Sequence, residues 1–361
     1  MEPPDPDIRV ASTPRGALYG DPAEHARQRE EVLARSWHLV AGDEELPDGT
    51  GATPVTLLPG CLDEPLVITR DGKGELACLS NACTHRGALV IDAPCAATSL
   101  RCPYHGRRFA LDGRLTAAPG FEDAAGFPSE RDHLPRLPLG RIGPLLFTSL
   151  APATPFEALV APLRALVDFF PWDRAQPDPD AARDYEVDAC WALWCENYLE
   201  GFHIPYVHRG LARALELPEY RTDLHTLASV QTGIAAEGEP CLELPPSHAD
   251  RGMRVAGYYV FLFPATALNF YPWGVSVNSV QPLGPTRTRI RYRAYVTRPE
   301  LRDRGAGAEL HRVELEDDAI VERTQRGVCA RLYERGRYAP RHERAVHHFH
   351  RLLSSFAPSL T

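Results

Sequence analysis

Apolar residues are spaced in two ways along the chain, and the change of spacing predicts its elements. Asp21 and Pro22 predict an N-cap and the first position of a helix that extends through Arg35. From residue 37 to about residue 150, short apolar runs such as PVTLL, PLVIT and GPLLFTSL are broken by glycine, proline and aspartate. Short runs separated by turn residues are typical of a small antiparallel β domain.

The rest of the chain predicts a second domain of mixed structure. Prolines cluster between Pro152 and Pro179, where they bracket a predicted helix near residues 156–169 and mark the passage between domains. Alternating residues predict strands in GYYVFLFP, GVSVNSVQP and RIRYRAYV, and the charged residues 310–356 predict helices. Strands followed by long helices favour an α+β architecture.

Length, charge and cysteine content limit the class of protein. A chain of 361 residues suits two domains, and its formal net charge of −9 argues against nucleic acid and anionic membranes as partners. No window approaches eighteen apolar residues, and the start MEPPDPD is unlike a signal peptide. Nine cysteines without a secretory signal indicate a reducing compartment. We therefore expect a cytoplasmic protein that contacts neither a membrane nor nucleic acid.

Two short motifs each pair one cysteine with one histidine. Cys83 and His85 have C-x-H spacing, Cys102 and His105 have C-x₂-H spacing, and sixteen residues separate the motifs. A glycine follows each histidine closely and permits a tight turn near the ligands. Two sulfur and two nitrogen donors on similar turns predict a Rieske-type 2Fe–2S cluster, with both cysteines on one iron and both histidines on the other.

A structural zinc site is the alternative, since it also uses two cysteines and two histidines. Zinc sites usually open with C-x₂₋₄-C and close with H-x₃₋₅-H, so that like ligands come in pairs. Each motif in this chain mixes the two residue types, which favours the iron–sulfur cluster over zinc.

A second candidate metal site lies in the segment ENYLEGFHIPYVH. Its Glu200, His203 and His208 have the spacing E-x₂-H-x₄-H, and histidine is the commonest metal ligand near neutral pH. On an unbroken helix, residues five apart point about 140° away from each other, too far to share one ion. Pro205 should kink or end the helix predicted over residues 194–202, which can turn His208 back towards His203.

A carboxylate would complete a facial triad with the two histidines, the site type of non-haem Fe(II) oxygenases. The segment VELEDDAIVERTQRG offers five candidates: Glu314, Glu316, Asp317, Asp318 and Glu322. Residue type and spacing do not select among the five. Because H-x₄-H pairs also occur by chance, the iron hypothesis depends on the cysteine–histidine motifs in the same chain.

The two sets of motifs together resemble those of the oxygenase (alpha) subunits of Rieske non-haem iron oxygenases, most of all the choline monooxygenase and carnitine oxygenase branch. The resemblance implies an α+β fold. Residues 38–150 would form an all-β Rieske domain, and residues 1–37 and 151–361 a helix-grip (Bet v1/START-like) catalytic domain with an antiparallel sheet. The family usually has CPYHGW in its second loop. This chain has Arg107 in place of that tryptophan, a difference that touches no ligand and puts in question only the packing of the loop or the docking of a partner.

The resemblance also implies which residues bind the two metal centres. These residues are, for the cluster, Cys83, His85, Cys102 and His105, and, for the iron, His203, His208 and Asp318. Asp318 is chosen because the family ligand is the second acid of an acidic pair, four residues before a glutamate, here Glu322. Asp317 is the runner-up.

Glu200 has a separate implied role between subunits. In the family an acid at this position links an iron ligand of one subunit to a cluster ligand of the next. In this chain Glu200 would link His203 to the partner subunit's His105. A carboxylate on the outer ring nitrogen also fixes the orientation of a histidine ligand. Such a link implies a head-to-tail closed ring, which we expect to be a homotrimer.

The expected activity is that of an oxidoreductase that uses O2 and electrons from elsewhere. The G-x-G-x-x-A motif at residues 72–77 lies between strand-like runs and does not open a helix, so a nicotinamide site is rejected. A separate NAD(P)H-dependent reductase or ferredoxin is therefore the expected partner. The resemblance implies a monooxygenase that hydroxylates a quaternary ammonium or other N-substituted compound. Alternatives are an oxygenase (a dioxygenase included) of an aromatic ring or natural product and, more remotely, a non-catalytic Rieske electron carrier.

Aromatic residues of the second domain could hold a quaternary ammonium group, because a cation is attracted to the face of an aromatic ring. The candidates are Tyr258, Tyr259, Phe261, Phe263, Phe270, Tyr271 and Trp273. Aromatic residues also favour strands, so packing in a sheet explains them equally well.

Overall fold

The computed structural model describes residues 2–356, which form two compact units. The smaller unit is Trp37–Pro152, and the larger unit combines the segments before and after it. The boundaries expected at residues 38 and 150 lie close to these. Within the part of the chain that the structure describes, no helix is long and apolar enough to cross a membrane.

The smaller unit consists of short strands joined by turns. Its strands are β1 (His38–Gly42), β2 (Gly51–Leu57), β3 (Glu64–Arg70), β4 (Leu76–Ser80), β5 (Cys95–Ala96), β6 (Leu100–Arg101), β7 (Arg108–Phe109), β8 (Leu115–Ala117), β9 (Arg136–Leu137), β10 (Leu139–Ile142) and β11 (Leu145–Thr148). Two 3₁₀ turns accompany them, at Asp43–Glu45 and Glu130–Asp132. The strands pair in three antiparallel sheets, with the orders β1-β11-β10, β5-β2-β3-β4-β9 and β6-β7-β8. The predicted antiparallel β domain is confirmed.

Strand β3 separates two apolar cores in this unit. Successive side chains of a strand point to opposite faces. Leu66 and Ile68 therefore join one core, and Val67 joins the other. The core that contains Val67 also contains Cys83 and Cys102, so the two motif cysteines are buried in the interior of this unit.

The larger unit is a single antiparallel sheet with helices. Its strands are β12 (Gln176–Pro177), β13 (Arg183–Val187), β14 (Arg221–His225), β15 (Ala228–Ile234), β16 (Val255–Leu262), β17 (Thr266–Tyr271), β18 (Gly274–Gly284) and β19 (Arg287–Val296). They pair in the order β12-β19-β18-β17-β16-β15-β14, and β13 also pairs with β19. The expected α+β class with an antiparallel sheet is confirmed.

Helices of the larger unit lie before, between and after these strands along the chain. They are α1 (Pro22–Glu31), α2 (Phe156–Val167), α3 (Trp191–Tyr198), α4 (Ile204–Val207), α5 (Arg209–Ala214), α6 (Leu310–Val328) and α7 (Arg344–Phe356), with 3₁₀ turns at Gly16–Tyr19, Leu33–Arg35, Leu217–Glu219, Pro299–Leu301 and Gly305–Gly307. Asp21 caps α1 as predicted, since its carboxylate accepts from the Ala23 N–H at 2.8 Å. The rings of Phe349 on α7 and Phe261 on β16 meet edge-on with their centroids 5.7 Å apart, so this last helix packs on the sheet.

Helix α3 begins earlier than the sequence pattern predicts. The sequence predicts this helix from residue 194, but α3 begins at Trp191, after β13 ends at Val187. The reason is a tertiary contact, because the Cys190 N–H donates to Gln325 Oε1 of α6 at 2.8 Å instead of to a strand. This contact fixes the start of α3 against α6, the helix that carries the acidic segment of residues 314–322.

Candidate metal centres

Three side chains of the larger unit converge on one point. One donor atom each of His203, His208 and Asp317 lies within 4.8 Å of the other two. The two Nε2 atoms are 3.2 Å apart, and Asp317 Oδ1 lies 2.9 Å from His208 Nε2 and 3.5 Å from His203 Nε2. Two imidazoles and one carboxylate are the donor set of a 2-His-1-carboxylate iron site.

A carboxylate holds the outer nitrogen of each histidine. Glu200 Oε1 lies 2.7 Å from His203 Nδ1, and Glu316 Oε2 lies 2.8 Å from His208 Nδ1. When Nδ1–H donates to these carboxylates, the lone pair of Nε2 is left free to bind a metal. Burial alone would lower the pKa of His208, but the hydrogen bond and charge of Asp317, and then of Glu316, raise it. The negative surroundings that raise this pKa also favour a metal cation.

Two helix breaks bring the histidines together. Helix α3 ends at Tyr198, and His203 precedes the single turn of α4, which has Pro205 near its start. His208 follows α4 with a ψ of 75°, outside helical geometry. The expected break is present, but the breaks flank Pro205 and do not occur at it, because proline fits the first turn of a helix.

The structure places Asp317, and not Asp318, with the two histidines. Neighbouring residues of a helix point about 100° apart, so only one of the pair can face the histidines. Burial and the charges of Asp317 and Glu322 raise the pKa of Asp318 to about 7, and its Oδ1 has no hydrogen-bond partner among the described residues. The geometry therefore favours the runner-up Asp317 over Asp318.

Two similar turns carry the cysteine–histidine motifs in the smaller unit. In the first, the Gly87 N–H donates to the carbonyl of Cys83 at 2.9 Å. In the second, the Gly106 N–H donates to the carbonyl of Cys102 at 3.1 Å, and the Cys102 N–H donates to the carbonyl of Arg107 at 2.9 Å. Both glycines have positive φ, 71° and 74°, a conformation that strains other residues.

The motif cysteines lie inside this unit and the histidines lie towards its surface. Cys83 and Cys102 are buried, His85 is half-buried and His105 is exposed. The two imidazole centroids are 4.6 Å apart. His85 Nδ1 is buried and has no hydrogen-bond partner among the described residues, as expected of a nitrogen that binds a metal. The four side chains fit the donor set of a Rieske cluster.

A cavity opens onto His203, His208 and Asp317, and much of its wall is aromatic. The aromatic residues that line it are Trp194, Tyr198, Tyr220, Tyr259, Tyr271 and Tyr292. Of the seven aromatic residues considered from the sequence, Tyr259 and Tyr271 belong to this wall, and the other five are buried in the core. Packing therefore explains most of that aromatic segment.

One wall of the cavity carries a buried carboxylate that the sequence did not single out for this position. Glu314 is 3% exposed, accepts from Trp194 Nε1 at 3.1 Å, and also accepts from the Tyr292 hydroxyl. Burial, and then the charges of Asp318 and Asp317, raise its pKa well above the ordinary value. Among the described residues that line the cavity, none is arginine or lysine.

The fold and these two centres define the oxygenase component of a metalloenzyme with an iron–sulfur domain and a mononuclear iron domain. The chain belongs to the ring hydroxylating alpha subunit (catalytic domain) family, whose model matches residues 176–358. The model of the Rieske [2Fe-2S] domain matches residues 36–128. The predicted oxidoreductase class, the Rieske cluster and the mononuclear non-haem iron are thereby confirmed.

Individual relatives agree with the expected branch of the family. Choline monooxygenase from Arabidopsis thaliana is 29% identical over 371 residues, 97% of this chain and 84% of that protein. The carnitine monooxygenase oxygenase subunit of Escherichia coli (strain K12) is 28% identical over 356 residues, 93% and 91% of the two chains.

Solved structures show the same fold. The quaternary ammonium Rieske monooxygenase CntA in complex with L-carnitine has a TM-score of 0.77 and 23% identity, over 99% of this chain and 100% of that chain. Naphthalene 1,2-dioxygenase from Rhodococcus sp. has a TM-score of 0.72 and 19% identity, over 97% and 95%.

Proposed function

We propose that this protein is the oxygenase component of a monooxygenase that hydroxylates a quaternary ammonium or other N-substituted cation. The observation that carries the proposal is the cavity beside the histidine–aspartate cluster, whose wall combines tyrosines with the buried carboxylate of Glu314. Aromatic faces and a carboxylate both attract a cation. The similarity to choline and carnitine monooxygenases supports the same substrate class.

The geometry supports the proposed site residues. The cluster ligands are Cys83, His85, Cys102 and His105, and the iron ligands are His203, His208 and Asp317. When bound, the two metal centres supply single electrons and activate O2. The protein orients the iron ligands through Glu200 and Glu316 and surrounds the substrate with aromatic side chains.

Purified protein and a substrate screen test the proposal. Anaerobically purified protein should be coloured and contain one 2Fe–2S cluster plus one further iron per chain, by iron and sulfide counts and EPR. With a surrogate reductase, O2 uptake should increase with choline, carnitine or another trimethylammonium compound and yield one hydroxylated product per O2. Uptake driven only by aromatic acids would instead favour the aromatic-ring alternative. A colourless zinc protein would overturn the metal assignment.

We further propose that Glu200 couples neighbouring subunits of a homotrimer. Glu200 Oε1 contacts His203 Nδ1, while its Oε2 accepts the backbone N–H of His203 at 3.0 Å. This carboxylate is therefore already fixed on one iron ligand, and a link to the partner subunit's His105 would continue the electron path. The solved structure of a quaternary ammonium Rieske monooxygenase gives insights into inter-subunit electron transfer in that protein, which supports the same arrangement here.

The variant Glu200→Gln should slow electron transfer without removing either metal centre. We expect turnover to fall about 10–100-fold, the usual cost of losing the outer partner of a ligand histidine. Stopped-flow oxidation of the reduced cluster, per bound mononuclear iron, measures the step directly. Glu316→Gln is the matched control, because it alters the outer partner of His208 but should leave this rate unchanged. The proposal would be contradicted by equal rates of cluster oxidation in Glu200→Gln and Glu316→Gln. It would also be contradicted by a fully active protein that sediments as a monomer in analytical ultracentrifugation.

The partner and the location remain those expected from the sequence. We propose that a separate NAD(P)H-dependent reductase or ferredoxin supplies the electrons, and that the protein works in the cytoplasm. The absence of a nicotinamide motif and the reducing environment suggested by nine cysteines support these proposals.

A further inference from the structure

Arg107 places a buried positive charge beside the first cysteine–histidine turn. Its side chain is 3% exposed, and its Nη1 donates to Thr84 Oγ1 at 3.1 Å. Thr84 lies between Cys83 and His85 in the chain. The backbone carbonyl of Arg107 accepts the Cys102 N–H of the second turn. A single residue therefore contacts both turns that carry the proposed cluster ligands.

Aromatic rings keep this guanidinium in place. Its central carbon lies 4.4 Å from the ring centroid of Phe121 and 5.2 Å from that of Phe127, within the range of cation–π attraction. Phe121 also contacts the His85 ring edge-on, with centroids 5.1 Å apart. The rings and the burial keep water and salt away from the charge, so the charge is less screened than one at the surface.

A nearby carboxylate offsets part of this charge. Asp132 Oδ1 lies 3.5 Å from Arg107 Nη1. Asp132 is also held by the backbone N–H and the hydroxyl of Ser129, at 2.8 and 3.0 Å. The 3.5 Å separation is longer than a charge-assisted hydrogen bond, and Arg107 Nε has no partner among the described residues. The guanidinium is therefore incompletely paired.

Packing alone does not explain a charged residue in this position. Moving a guanidinium out of water is costly unless its charge and its N–H groups are compensated. An apolar or aromatic side chain at this position could pack against Phe121 and Phe127 without such a cost. A function that uses the charge itself accounts for its presence.

We propose that Arg107 raises the reduction potential of the Rieske cluster. Reduction adds one electron to the cluster and breaks no bond, and the electron comes from the reductase. A fixed positive charge stabilises the added negative charge, and net charge near the sulfurs is one of the factors that set such potentials. The inference rests on the cluster ligands proposed above. Its consequence is easier reduction by the electron donor and a smaller driving force towards the iron.

Replacement variants that separate charge from packing test this inference. Arg107→Met removes the charge and retains an unbranched apolar stem, whereas Arg107→Lys retains the charge. We expect Arg107→Met to lower the one-electron reduction equilibrium constant at least tenfold, which corresponds to 59 mV, and Arg107→Lys to lower it much less. Protein-film voltammetry of the full chain with its cluster, at fixed pH and salt, gives the potential.

Two further variants make the result independent of folding defects. Arg108→Met removes a neighbouring exposed charge. It should change the one-electron reduction equilibrium constant of the cluster by no more than a few-fold, since water and salt screen the charge of Arg108. Asp132→Asn removes the offsetting negative charge and should raise the potential.

Several outcomes would overturn the inference. Equal potentials in the wild type and Arg107→Met would do so, as would equal decreases in Arg107→Met and Arg107→Lys. If Arg107→Met fails to hold a cluster, an unchanged or lowered potential in Asp132→Asn has the same meaning. A wild-type protein without a Rieske EPR signal would instead contradict the ligand assignment itself.

Discussion

Asp317→Asn should remove the mononuclear iron, while Asp318→Asn should leave it bound. Asp317 Oδ1 lies 2.9 Å from His208 Nε2, and a neutral amide oxygen is a weaker donor to Fe(II) than a carboxylate. The loss of iron affinity should exceed the ~10–100-fold that follows from changing an outer partner of a ligand. Iron counts after dialysis, with the cluster signal as internal reference, measure the difference, and turnover should fall with iron content.

The two variants form a matched pair, because they make the same chemical change on adjacent residues of α6. Asp318 Oδ1 has no hydrogen-bond partner among the described residues, so its amide should be tolerated. If Asp318→Asn loses iron and Asp317→Asn keeps it, the ligand implied by family resemblance is right and the geometric choice is wrong. Loss in both would indicate that the acidic segment acts as one coupled group.

Local patterns predicted the parts of the site that lie close together in the chain. The C-x-H and C-x₂-H motifs predicted the proposed cluster ligands because each pair shares one turn. His203 and His208 were predicted in the same way, since only the four residues of α4 separate them. The small β domain followed from its short apolar runs. Each of these features depends on neighbours in sequence, which a single chain displays directly.

Features that depend on distant segments were not predictable in this way. Asp317 is distinguished from Asp318 only by the rotation of α6 relative to His203 and His208, and no spacing rule gives that rotation. The cavity wall joins Tyr198, Tyr220 and other aromatic residues from separate elements. Residue type alone gave no signal for them, because tyrosines are common in strands and cores.

Glu314→Gln should reduce the preference of the enzyme for a cation. Glutamine has the shape of glutamate and can still pair with Trp194 Nε1 and the Tyr292 hydroxyl, so the packing should survive. The substitution removes the negative charge that Glu314 carries when it is ionised, and interactions with a charged group contribute on the scale of a charged hydrogen bond, about 1.5–3 kcal/mol. We therefore expect the KM for choline to rise about 10–100-fold, with iron and cluster contents unchanged.

A neutral analogue separates charge from shape in this test. In 3,3-dimethylbutanol a carbon replaces the nitrogen of choline. The wild type should therefore bind this analogue more weakly than choline, whereas Glu314→Gln should bind the two compounds about equally. Tyr292→Phe is the matched control, since it removes a hydrogen bond to Glu314 but keeps the carboxylate, and choline should remain preferred. Equal affinity of the wild type for choline and the analogue would show that Glu314 does not select the substrate.

The pH dependence provides an independent check on the charge of Glu314. Burial and the charges of Asp318 and Asp317 raise the pKa of this carboxyl, so Glu314 is protonated more readily than an exposed glutamate is. A bound ammonium group and that proton compete for the same negative potential. The KM for choline should therefore fall as the pH rises through the pKa of Glu314, and the KM of Glu314→Gln should not follow this change. A dependence that persists in Glu314→Gln would assign the titration to another group.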